Sequence, residues 1–164
     1  MVSIIENILV PKDRIRVVMD GKSKGPIERE LNVKLAFSDN VVSIEGEGLE
    51  LFRAKNIVKA MGRGFSPKKA FRLFEEEESL DIVELSTMND KKMRLIKSRL
   101  IGTKGKTRRL IERFSGCSMS VYGKTVSLIG NYEQLSVAKE AVSMIIDGSK
   151  HSKVYGFLQQ VRNG

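Results

Sequence analysis

Shifted by 84 residues, the chain falls into register with itself, and this self-similarity restricts the fold more than any composition does. Residues 17–64 lie over 101–148 without a gap, and thirteen of the forty-eight positions are identical. Ile27-Glu28-Arg29 meets Ile111-Glu112-Arg113, Val42-Ser43 meets Val126-Ser127, and Ala54-Lys55 meets Ala138-Lys139. Gly21, Gly46, Val58 and Gly64 likewise meet Gly105, Gly130, Val142 and Gly148. An unbroken register of this length indicates a duplicated unit of about 80 residues. The 164-residue chain is therefore read as two small domains, each with its own core.

Periodicity gives both units the order β-α-α-β-β-α. In the second, 81–86 reads as a strand, 88–100 as a helix, 102–105 as a loop, and a further helix runs to about Ser115. Period-two alternation over 117–122, the turn Gly123-Lys124 and the run 125–129 give a hairpin. Leu135, Ala138, Val142 and Ile145 recur at helical spacing, so 132–146 is a helix across the sheet. The first unit reads as strand 2–10, helices 12–19 and 26–31, strands 33–37 and 41–45, and helix 48–61. Gly62-Arg63-Gly64-Phe65-Ser66-Pro67 is a breaker followed by a helix over 68–78 that ends in Glu75-Glu76-Glu77-Glu78. His151–Gln160 closes the chain as a short helix packing Val154, Phe157 and Leu158. The expected partition is 1–64, a linker helix at 65–79, and 80–164. The class is α+β.

Chemistry concentrates in the second unit. In Ile101-Gly102-Thr103-Lys104-Gly105-Lys106-Thr107-Arg108-Arg109-Leu110-Ile111-Glu112, two glycines bracket a short turn and an amphipathic helix begins at once. Such a loop lets backbone approach a phosphate, and the helix start aims free N–H groups and a positive dipole end at it. Between Asp90 and Arg113 stand ten lysines and arginines against two acids, a density suited to phosphate contacts. A short single-stranded nucleic acid fits this pattern. Its backbone lies on the loop and its bases on an apolar floor drawn from Ile101, Leu110, Cys117 and Met119. The expected contact set is Arg99, Ile101, Gly102, Thr103, Lys104, Gly105, Lys106, Arg108, Arg109, Leu110, Arg113 and Met119. Aromatic residues are sparse here, which disfavours a base-stacking platform.

Other classes find little support. Gly105-Lys106-Thr107 ends like a nucleotide-binding P-loop, but Leu100 stands where its opening glycine belongs and the preceding segment is helical. One histidine, His151, and one cysteine, Cys117, offer no zinc set, and no isolated carboxylate pair suggests acid–base catalysis. No cofactor and no enzymatic activity are expected. A lone cysteine implies a reducing, cytoplasmic setting, and the opening residues lack the pattern of a signal peptide. No apolar run approaches the roughly 20 residues of a membrane span. A net charge of +9 makes a polyanion the natural partner. A monomer is the default. The alternative is a non-catalytic adaptor whose basic surface and first domain serve general docking.

The Gly-x-x-Gly loop between two helices of a β-α-α-β-β-α unit resembles the type I KH domain. The stretch from Leu100 to Glu112, with Ser115-Gly116-Cys117 and Val121-Tyr122-Gly123-Lys124-Thr125-Val126, is similar to a narrower group. That group is the two-KH small-subunit ribosome assembly factors of the partner-of-Nob-one and Krr type, in compact archaeal form. Gly64-Phe65-Ser66-Pro67 and the tail His151-Ser152-Lys153-Val154-Tyr155-Gly156-Phe157-Leu158 extend the resemblance over nearly the whole chain. It implies RNA binding at the 3′-end region of small-subunit rRNA or its precursor during small ribosomal subunit biogenesis. As partners it implies the endonuclease that trims this end and the alpha subunit of translation initiation factor two. The first unit departs from the pattern: Val18-Met19-Asp20-Gly21 lies under Gly102-Thr103-Lys104-Gly105. Valine restricts the backbone and Asp20 repels phosphate, while Gly21-Lys22-Ser23-Lys24-Gly25 offers a shifted basic loop with its helix starting at Pro26. This marks a degenerate domain that braces the other.

Overall fold

Each half of the repeat builds a three-stranded antiparallel sheet whose last strand lies in the middle, in the orders β1-β3-β2 and β4-β6-β5. The computed structural model describes residues 2–163, and the chain divides into units spanning 1–76 and 77–164. The first contains β1 (Ile4–Leu9), α1 (Lys12–Met19), α2 (Gly21–Leu31), β2 (Lys34–Ser38), β3 (Val41–Gly46) and α3 (Gly48–Gly62). A short α4 (Pro67–Ala70) and a 3₁₀ turn (Phe71–Phe74) follow and pack on α3. The second contains β4 (Ser79–Glu84), α5 (Asp90–Ile101), a 3₁₀ turn (Thr103–Gly105), α6 (Lys106–Ser115), β5 (Ser118–Tyr122), β6 (Thr125–Gly130), α7 (Tyr132–Ile146) and α8 (His151–Asn163). The β-α-α-β-β-α order holds in both units.

The core of the second unit shows why its sequence folds this way. Leu135, Ala138, Ala141, Val142 and Ile145 form the buried stripe of α7, over Met119 of β5 and Val126 and Leu128 of β6. A capping box starts α7: Asn131 accepts from the Gln134 N–H at 2.9 Å, and Gln134 accepts from the Asn131 N–H at 3.0 Å. Val154 and Leu158 of α8 complete this core, with Phe157 partly buried against it.

The duplication is written in bonds as well as letters. Glu28 accepts the Leu35 N–H at 2.8 Å, and Glu112, its repeat counterpart, accepts the Met119 N–H at 3.0 Å. Lys55 meets Glu6 at 3.6 Å and Lys139 meets Asp81 at 2.9 Å, each tying the last helix to the first strand. Both last helices end alike. Gly64 and Gly148 adopt φ of 99° and 95°, and the next N–H bonds back to Ala60 or Met144. Carbonyls at each of these ends also accept from an arginine. Arg14 donates to Met61 and Phe65, each at 2.8 Å, and Arg99 donates to Ile145 at 2.9 Å and to Ser149.

Three segments differ from the sequence reading. The helix expected over 68–78 ends by Phe74, so the acidic run lies beyond it rather than on its last turn. The first strand is shorter than 2–10. Helix α2 begins at Gly21 and not at Pro26, because the Asp20 carboxylate accepts the Lys22 N–H at 2.9 Å and caps it. Ser23, Ile27 and Leu31 form its buried stripe and carry it past Pro26.

Gly46 and Gly130 end the central strands with no room for a side chain. A Cβ would lie 2.6 Å from Val33 at Gly46 and 2.7 Å from the Cys117 sulfur at Gly130, and Val33 and Cys117 are themselves repeat counterparts. Gly46→Ala is expected to cost about 1–3 kcal/mol in urea denaturation. Adding Val33→Ala should cost less than the two single losses combined, since it opens the space the methyl group needs.

Candidate nucleic-acid interface

At the C-terminus of α5 the chain turns on residues with left-handed backbone. Gly102 has φ 74°, Lys104 φ 54° and Gly105 φ 76°, and α6 begins immediately afterwards with no side chain capping it. Helices α2, α5 and α7 are capped by Asp20, Asn89 and Asn131, whereas α1 and α3, like α6, start without a side-chain cap; α6 differs from those two in following a turn of positive φ. The Gly105 N–H bonds the Gly102 carbonyl at 3.1 Å and the Lys106 N–H bonds the Thr103 carbonyl, so the turn itself takes the first amides and no side chain caps those that follow. The bend supplies the kind of concavity, lined by backbone N–H groups, that binds anions.

Gly102 is required twice. Its φ disfavours a side chain, and a Cβ there would sit 2.3 Å from the Thr107 hydroxyl and 2.7 Å from the Thr107 backbone nitrogen. Thr107 is 1% exposed, and its hydroxyl shares a hydrogen bond of 2.8 Å with Tyr155 of α8. His151, stacked on Tyr155 one turn earlier, bonds the Arg99 carbonyl at 3.0 Å. The last helix thus supports the loop from beneath. Sequence reasoning missed Thr107 and Tyr155 as supports, because a bond spanning 48 residues leaves no local pattern.

Around the loop, Thr103, Lys104, Lys106, Arg109 and Arg113 are exposed, Ile101 is at the surface, and Leu110 is half-buried. Arg109 reaches back to the Lys104 carbonyl at 2.6 Å and braces the turn. Arg108 pairs with Glu112 at 2.9 Å, the same glutamate that holds the Met119 N–H of β5. Lys106, Arg109, Leu110, Glu112 and Arg113 line an open groove of about 530 Å³. Basic rim and apolar wall therefore share one surface of α6.

Three residues expected at the site lie elsewhere. Met119 is 2% exposed and Cys117 3%, both in the core, so neither side chain forms a floor for bases. Cys117 and Met119 are two residues apart and so share one face of the strand, which is the face turned to the core and the helices that cover it. Arg99 holds the carbonyls that end α7 and serves the scaffold, as Arg14 does in the first unit. In the first unit no equivalent loop exists. Only Asp20 separates α1 from α2, and its carboxylate already occupies the start of α2. The residues expected to form a shifted basic loop, Gly21 to Gly25, are the first turns of that helix.

A Gly-x-x-Gly turn between two helices of a β-α-α-β-β-α unit defines a type I KH domain, here in a chain with two units of that order. Residues 78–163 match a eukaryotic-type (type I) KH-domain family model, that of the second KH domain of Pno1. A KH domain-containing protein of Methanocaldococcus jannaschii is 40% identical over 168 residues, spanning 96% of this chain and 74% of that protein. Among solved structures, Dim2p from Pyrococcus horikoshii has 40% identity and a TM-score of 0.88, covering 96% of this chain and 99% of that one. The a/eIF2alpha–aDim2p–rRNA complex from the same organism contains a chain at 39% identity and a TM-score of 0.91, with coverage of 98% and 95%. A protein of Aeropyrum pernix gives 31% and 0.90, over 99% of this chain and 93% of that one. The chain belongs to the archaeal Dim2p/Pno1 family of KH-domain proteins.

Gly102→Ala is expected to lower stability by about 2–4 kcal/mol, read by chemical denaturation, through backbone strain and the Thr107 clash together. Tyr155→Phe should cost about 1 kcal/mol, because it removes one partner from a buried hydroxyl.

Proposed function

We infer that this protein binds single-stranded rRNA through its second KH domain and acts in small ribosomal subunit biogenesis. The uncapped start of α6, set at a left-handed turn and ringed by exposed Lys104, Lys106 and Arg109, is the observation that carries this reading. A phosphodiester seated there meets the positive end of the helix dipole and exposed cations together. The adjoining groove along Leu110 and Arg113 has room and apolar surface for unpaired bases. The RNA is the 3′-end region of small-subunit rRNA or its precursor, in keeping with the rRNA in the relative's complex. The alpha subunit of translation initiation factor two is a protein partner on the same ground, and the trimming endonuclease is a further one. The role is binding and positioning in the cytoplasm, without catalysis.

The residues we assign to the RNA are Ile101, Gly102, Thr103, Lys104, Gly105, Lys106, Arg109, Leu110 and Arg113. Arg108 acts with them by holding Glu112 in place. Wild type should bind a short RNA copied from the mature 3′ end more tightly than a scrambled RNA or a duplex. Thr103→Asp with Lys104→Asp should abolish that preference at an unchanged circular dichroism spectrum. Equal binding to all three RNAs, indifferent to the variant, leaves only a nonspecific basic adaptor. Salt titration gives an independent check: Lys104→Ala should reduce the slope of log affinity against log salt by about 0.7, the value for one phosphate of a single strand.

A further inference from the structure

One turn of the last helix holds the loop from Gly102 to Gly105 at both of its ends. His151 and Tyr155 stand one turn apart on α8, their rings stacked with centroids 5.8 Å apart. His151 bonds the Arg99 carbonyl on the last turn of α5 at 3.0 Å. Tyr155 bonds the Thr107 hydroxyl on the first turn of α6 at 2.8 Å. The start of α8 is itself fixed, because the Arg99 guanidinium donates to the Ser149 carbonyl. Thr107 in turn fills the space beside Gly102, where its hydroxyl and backbone nitrogen leave no room for a side chain. A threonine in a helix divides between two χ1 wells, since its hydroxyl can turn to a carbonyl three or four residues back. For Thr107 those carbonyls belong to Lys104 and Thr103, inside the loop. The bond to Tyr155 directs the hydroxyl to α8 instead.

The first unit shows what becomes of these groups where the loop is absent. The repeat register runs on past Gly64 and Gly148, since the carbonyls taken by Arg14, at Met61 and Phe65, match those taken by Arg99, at Ile145 and Ser149. Helix α4 begins at Pro67 as α8 begins at His151, at the same offset of 84 residues. In that register Pro67 stands for His151, Phe71 for Tyr155 and Ser23 for Thr107. Proline and phenylalanine offer no side-chain hydrogen-bonding group. Ser23 keeps its hydroxyl and is 1% exposed, yet that hydroxyl has no hydrogen-bond partner among the described residues. The unit with the open turn therefore has the three polar groups joined. The unit with the closed cap lacks two of them and leaves the third unused. Their shared scaffold stands with or without these bonds, so what the bonds accompany is the open turn.

We propose that His151 and Tyr155 are positioning residues for RNA binding. Through the Arg99 carbonyl and Thr107 they hold the turn from Gly102 to Gly105 in the shape that takes a phosphodiester, and neither needs to touch the RNA. The proposal rests on the RNA-binding reading above and adds the groups that set the loop. Apparent affinity scales with the fraction of molecules whose site is competent. Loosening this brace therefore weakens binding while every cation around the loop stays in place.

The test measures binding of the 3′-end RNA by full-length wild type, Tyr155→Phe, Thr107→Val, the two combined, Thr107→Ser and His151→Phe. Thermal unfolding sets a temperature at which all of them are folded. Tyr155→Phe and Thr107→Val should each weaken binding about fivefold, and the combination no further, because both remove the same bond. His151→Phe keeps a ring against Tyr155 and removes the nitrogens, and should weaken binding in the same direction. Thr107→Ser keeps the hydroxyl and should stay within about twofold of wild type, the range of a neutral change. The slope of log affinity against log salt should equal that of wild type throughout, since no phosphate contact is lost. Wild-type affinity in folded Tyr155→Phe and Thr107→Val overturns the positioning role and leaves the RNA reading standing. Losses that add in the combined variant overturn it too, for they come from two separate effects. A wild type that does not bind the RNA overturns both.

Discussion

An arginine on the last turn of one helix, reaching carbonyls at the end of another, fixes the geometry from which the rest follows. In the second unit Arg99 joins the end of α5 to the end of α7, and the Gly102 turn begins three residues later. His151, bonded to the Arg99 carbonyl, adds the start of α8 to the same junction. Hydrogen bonds with one charged partner contribute about 1.5–3 kcal/mol each, so a fork of two resists displacement. The loop from Gly102 to Gly105 therefore departs from a rigid point.

Comparison of the two units separates scaffold from site without any outside reference. The Arg14 and Arg99 forks, the Glu28 and Glu112 bonds to the neighbouring strand, the tight glycines at 46 and 130, and the glycine-ended last helices all recur. What does not recur is the turn before the second helix. In one copy it is open and basic. In the other it is a single capping aspartate.

Sequence reasoning reached the fold because the repeat doubled every signal. The helix over 132–146 was legible from Leu135, Ala138, Val142 and Ile145, and the structure gives the same bounds. Pro26 misled because proline favours the first turn of a helix, whereas burial of Ser23, Ile27 and Leu31 carries α2 through it. Arg99 and Met119 were placed on the surface for opposite reasons. A charge suggests solvent, but backbone carbonyls can satisfy it inside. Alternation in a strand separates two faces, yet it does not say which of them the helices cover. The exposed part of the loop needed no such tertiary knowledge, since Gly102 and Gly105 announce their backbone in their identity.

The crowding of Gly102 against Thr107 has a consequence for how such a domain can change over time. Any side chain at this position collides with the first turn of the following helix, so the turn cannot decay by small steps while keeping its shape. Replacing the glycine forces the backbone into another arrangement, and the first unit displays one: with Val18 at the corresponding place, the second helix has lengthened backwards to Gly21 and acquired its own terminal carboxylate. Open turn and closed cap behave as alternatives separated by a barrier in sequence space. Once a duplicated copy has crossed it, recovering the open form demands several coordinated replacements, and the copy is free to be shaped by a different ligand.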